Sequence, residues 1–122
     1  MRFVLMLLLI AAVPAWAEWV KVTEAGGISF YIDRATIRKK GDMRRVWVLQ
    51  DLKEAGYRSE MSRRGLEEYD CEEERYRILT ASSHSGPMAG GDVLGIDDSP
   101  GEWSYIGPGT PAAIMLGIVC SK

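Results

Sequence analysis

Two cysteines, Cys71 and Cys120, constrain this chain more than any other feature of its 122 residues. They stand 49 positions apart. A bond between them closes the intervening chain into one loop and ties its end to its middle. The spacing offers neither the Cys-x-x-Cys of a redox site nor the ligand spacing of a zinc site. The expectation is therefore a structural disulfide, which belongs to an oxidising compartment such as the periplasm or the cell exterior.

The start of the chain fits that compartment. Arg2 precedes an unbroken apolar run, Phe3 to Val13, then Pro14 and the small-x-small triplet Ala15-Trp16-Ala17. This is the pattern of a cleaved secretory signal peptide over residues 1–17. The run falls short of the roughly 18–20 apolar residues that span a bilayer. The mature domain is then 18–122, with no further stretch suited to crossing a membrane. No cysteine follows the expected cut, so no lipid attachment is expected there, and the reading is periplasm or outer-membrane surface. The formal net charge is −2, which gives no general drive toward nucleic acid.

After the leader, short alternating runs dominate. Trp19-Val20-Lys21-Val22-Thr23 reads as a strand, Gly26-Gly27 as a turn, and Ile28 to Ile32 as a second strand. Asp33 is expected to cap a short helical turn reaching Ile37. Arg38-Lys39-Lys40-Gly41-Asp42 reads as a hairpin tip before Arg45 to Leu49, a strand apolar on both faces and so placed centrally. Lys53 to Gly56 is a polar connection. Tyr57 to Cys71 reads as one strand, with a bulge or break at Arg63-Arg64-Gly65. Arg75 to Ser83 and Val93 to Ile96 are further strands, separated by the loop Gly86 to Gly91 and followed by a turn, Asp97 to Gly101. The period then changes. Thr110 is a helix cap, Pro111 suits the first turn, and the helix runs to Cys120. Gly117 within it either weakens the helix or permits close approach to the sheet. A bond from Cys120 to Cys71 would clamp the helix down, adding about 4 kcal/mol by loop-closure entropy. Together these elements predict an α+β domain: about six antiparallel strands with one C-terminal helix.

Candidate chemistry is sparse. The one histidine, His84, has no nucleophile-elbow pattern around any neighbouring serine, so it reads as a solvated loop residue and no enzyme is expected. Glu67, Glu68 and Glu72-Glu73-Glu74 lack calcium-loop spacing and read as a solvated sheet edge balanced by Arg75 and Arg77. No metal or cofactor is implied. Trp47 reads as core, and Trp19 and Trp103 as half-exposed. The densest basic run, Arg38, Lys39, Lys40, Arg44 and Arg45, is the candidate binding surface for a polyanion such as a sulfated glycan. An ordinary charged hairpin tip is the other reading of the same residues.

In order, Trp19, Tyr31-Ile32-Asp33 with Ile37, Val46-Trp47-Val48, Ser59, Glu68-Tyr69-Asp70-Cys71, Arg75-Tyr76-Arg77-Ile78-Leu79, Gly86-Pro87-Met88, Trp103, Pro108-Gly109-Thr110 and Cys120 form a set that resembles the surface-adhesin protein E family across the mature chain. The resemblance implies a six-stranded antiparallel sheet, with the C-terminal helix tied back by Cys71 and Cys120. It also implies a non-enzymatic exported binding module of the bacterial envelope. Its partners would be host matrix or serum proteins such as vitronectin, laminin and plasminogen, and a homodimer is among the arrangements implied. No binding residues carry over from the family. A periplasmic housekeeping or assembly factor of the same fold is the alternative expectation.

Overall fold

The computed structural model describes residues 17–121. Most of the expected leader lies outside the described residues. Six strands follow one another in the sheet in chain order: β1 (Val20–Ala25), β2 (Ile28–Lys40), β3 (Met43–Leu52), β4 (Ser62–Asp70), β5 (Arg75–His84) and β6 (Val93–Asp97), each antiparallel to the next. A two-residue strand, β7 (Ser104–Tyr105), pairs with the start of β5, while β6 pairs with its end. Helix α1 (Pro111–Val119) closes the chain.

Local chemistry explains the meander. Gly26 and Gly27 both sit at positive φ, 58° and 76°, the conformation that a tight two-residue hairpin needs and that glycine adopts without steric cost. The β2–β3 hairpin turns at Gly41, also at positive φ. Between β4 and β5, Asp70 Oδ1 accepts the backbone N–H groups of Glu72 and Glu73, and this fixes the turn.

Residues directly opposite one another in an antiparallel pair share a face. The register therefore sorts the side chains. One face carries Ile32, Val46, Val48, Glu67 and Tyr69. Helix α1 lays Met115 and Val119 on it, so that Ile32, Val46, Val48, Tyr69, Met115 and Val119 form the core. The helix begins where Thr110 Oγ1 accepts the Ala113 N–H at 3.2 Å, and Cys120 is bonded to Cys71 just beyond β4. The disulfide thus anchors the far end of an uncharged nine-residue helix, too short to hold itself in water.

Several expectations are corrected. Asp33 does cap, but not a helix. Its Oδ1 accepts the Ala35 N–H, while Thr36 Oγ1 donates to the Asp33 carbonyl and accepts the Trp47 N–H. The pairing steps from Asp33↔Trp47 to Arg38↔Arg45: β2 bulges out and a threonine hydroxyl replaces a ladder carbonyl. The expected bulge at Arg63-Arg64-Gly65 is absent, because those residues pair with β3 in unbroken register. The irregularity falls between Leu66 and Glu67, where β5 carries the extra residue. Tyr57 to Met61 is not strand. The buried Glu60 carboxylate accepts the Arg58 N–H and an Arg63 guanidinium N–H, which holds a turn and delays β4 to Ser62.

Trp47 is half-buried rather than core. It lies on the face away from the helix, with the Arg64 guanidinium 4.2 Å over its ring. Trp19 and Trp103 are half-buried as expected. His84 is not a solvated loop residue. It ends β5 with 6% of its surface exposed.

Candidate functional site

On the face away from the helix, the register builds a row across four strands: Arg38 opposite Arg45, Arg45 opposite Glu68, and Glu68 opposite Arg77. One step along lies a second row, Lys40, Met43, Asp70 and Arg75. Arg38, Lys40, Met43, Arg45, Glu68 and Arg77 of these rows, with Lys39 and Trp103, line a groove of about 640 Å³.

Its carboxylates are already engaged. Glu68, 5% exposed, accepts from Arg45 Nε at 2.8 Å and from Arg77 Nη2 at 2.8 Å. Burial alone would raise its pKa, but the two guanidinium partners outweigh that and hold it below the ordinary carboxylate range. Asp70 accepts from Arg75 Nε at 3.0 Å. Arg75 and Arg77 lie over the Trp103 ring at 4.5 and 4.6 Å from its centroid, so the indole is held against the sheet by cation–π contact.

The remaining positive charge is uncommitted. Among the described residues, Arg38, Lys39 and Lys40 make no ion pair within 4.0 Å. Arg38 Nη1 donates only to the carbonyls of Ala35 and Ile37. The groove thus offers two unpaired cations on its own face, Arg38 and Lys40, a third, Lys39, at its border, two arginines with donors left over, and an aromatic wall. Such a concentration of positive charge attracts anionic groups at long range.

Of the basic run singled out in sequence, the structure brings Arg38, Lys39, Lys40 and Arg45 to this groove. Arg44 is not with them. It sits on the alternate row, opposite Tyr69, and donates from Nη1 to the Gly41 and Met43 carbonyls. Arg77, Glu68 and Trp103 complete the groove and were invisible as partners in sequence. Strand register places Glu68 and Arg77 there, and the arginines over its ring place Trp103.

The other candidates separate. Glu67 and Glu68 are buried on opposite faces of β4, not on a solvated edge, because adjacent strand residues point opposite ways. No cluster of three metal-ligating groups occurs among the described residues. His84 Nε2 lies 2.8 Å from Ser82 Oγ. Burial, and next the charge of Arg64, push its pKa down. That keeps the imidazole neutral, but the described residues place no carboxylate against it to complete a triad.

The family model for "Surface-adhesin protein E" matches residues 19–121. Among solved structures, crystal form II of Haemophilus influenzae protein E superposes with a TM-score of 0.69 at 13% identity, covering 86% of this chain and 88% of that one. A second Haemophilus influenzae protein E structure gives 0.67 at 12% identity, over 86% and 85% of the two chains. Protein E from a non-typeable Haemophilus influenzae gives 0.58 at 11% identity, over 88% and 78%. No curated protein matches the chain in sequence.

Proposed function

The chain belongs to the surface-adhesin protein E family, and on that premise we propose that it is an exported, non-enzymatic binding module of the bacterial envelope. Its partner is an acidic segment of a host matrix or serum protein, and the Arg38–Arg45–Glu68–Arg77 groove is the binding surface. The observation that carries the reading is the uncommitted charge of Arg38, Lys39 and Lys40 beside a Trp103 wall. Long-range attraction from such a patch speeds encounter with an anionic surface, and the aromatic wall supplies contact area once docked. Glu68 and Asp70 keep the arginine forks fixed, so less freedom is lost on binding. Export by the leader over residues 1–17 and display at the outer surface are part of the proposal.

The test is binding of the oxidised mature chain to immobilised vitronectin, laminin and plasminogen, with an Arg38→Glu/Lys39→Glu/Lys40→Glu variant alongside. The proposal expects saturable binding that falls at least about tenfold in the variant and weakens with salt. Undiminished binding by the folded variant moves the site elsewhere on the molecule. Binding to heparin but to none of the proteins replaces the protein partner with a sulfated glycan.

A further inference from the structure

The helix side of the sheet holds a second cavity, of about 290 Å³, between the start of α1 and strands β2 to β5. This is close to the lower end for small-ligand pockets, roughly 300 Å³. Phe30, Val48, Tyr76 and Met115 line it, and Glu67 and Tyr69 reach into the same wall from β4. Glu67 is 8% exposed. Tyr69 OH donates to its Oε1 at 2.6 Å. Its Oε2 accepts no hydrogen bond from any described residue, yet Glu67 borders empty space. That oxygen is not fully enclosed, since Arg44 Nε is the buried side-chain atom among the described residues that lacks a partner, so it is open to a donor arriving through the cavity.

The surroundings define that donor. Tyr69 and Tyr76 stack with ring centroids 5.6 Å apart, and aromatic faces attract cations. Among the described residues Glu67 is the one acidic side chain in the wall, and α1 carries no charged residue. The two tyrosines are the other titratable groups facing it, and burial first, with Glu67 second, keeps both phenols protonated. Among the described residues, no lysine or arginine lines the cavity to compete for the carboxylate.

We propose that this cavity binds a small organic ammonium compound. Its cationic head sits against the Glu67 carboxylate and the Tyr76 ring, and its apolar body lies against Phe30, Val48 and Met115. The site lies on the opposite side of the sheet from the basic groove and does not depend on it.

The experiment is calorimetric titration of the mature, oxidised chain with phenethylamine and with phenethyl alcohol, its uncharged counterpart of matching shape. At about pH 8 the amine should bind at least tenfold more tightly than the alcohol. At about pH 6, where Glu67 holds its proton, the amine should weaken about tenfold while the alcohol stays level. Glu67→Gln should abolish the preference while leaving alcohol binding intact. Equal binding of the two probes, no binding of either at millimolar concentration, or a preference that survives Glu67→Gln each overturns the proposal. If the variant does not fold, the pH comparison on the native chain decides.

Discussion

Glu67 makes stability depend on pH in a direction opposite to most carboxylates. Burial, only partly offset by the Tyr69 hydroxyl, pushes its pKa from 4.5 up to about 7. Below about pH 4 the group is protonated folded or unfolded and contributes nothing to the difference. As pH rises, the unfolded chain releases the proton first, so the folded state loses ground until pH passes 7. The slope approaches 1.4 kcal/mol per pH unit, which makes the loss about 2.5 kcal/mol between roughly pH 5 and pH 8. For a domain of this size that is a fall in Tm of about 10 °C. His84 acts oppositely over part of this range, because burial lowers its pKa and its contribution grows as pH rises. The clean measurement is therefore the difference between native chain and Glu67→Gln, in which His84 cancels. Glutamine mimics the protonated acid and still accepts the Tyr69 hydroxyl. Urea unfolding at both pH values should show the variant nearly neutral at about pH 5 and more stable than native by about 2–3 kcal/mol at about pH 8. A variant equally or more destabilised at the higher pH would refute the reasoning.

Three further outcomes follow from the packing. Gly117 lies in α1, and a Cβ added there meets nothing within 4 Å, so Gly117→Ala should raise stability by about 0.5–1 kcal/mol in thermal unfolding. Removing the disulfide with Cys71→Ala/Cys120→Ala should cost about 2–5 kcal/mol and increase hydrogen exchange in α1 more than in β3. Arg77→Met keeps length but takes two donors from the buried Glu68. Chemical denaturation should show a loss of about 2–4 kcal/mol, much larger than Lys39→Met, whose ammonium pairs with no described carboxylate.

The parts of the fold that local chemistry dictates were legible in sequence. Alternating runs, Gly26-Gly27, the Thr110-Pro111 start and a lone pair of cysteines each point to one structure. The misreadings came where one local signal serves two geometries. An aspartate that caps a helix also caps a bulge, so Asp33 could not distinguish them until Thr36 Oγ1 is seen bonding Trp47. A run rich in charge, Glu67-Glu68, reads as solvated until the register shows one member meeting Arg45 and Arg77 and the other enclosed beside Tyr69. Half of the groove was legible for the same reason that the other half was not. Arg38 to Arg45 are neighbours in sequence, whereas Arg77 and Trp103 join them only through strand pairing and cation–π stacking. Alternation turns Arg44, and Lys39 opposite it, away from Arg45, and of the two only Lys39 still borders the groove.

The groove away from the helix is the proposed partner-binding surface of this chain. Amide hydrogen exchange of the chain, free and saturated with a matrix or serum protein it binds, tests that most directly. Binding there should protect the β2–β3 hairpin around Arg38 to Arg45 and the segment carrying Trp103, with α1 unchanged. Protection confined to β6 or to α1, with the hairpin exchanging as freely as before, would contradict it.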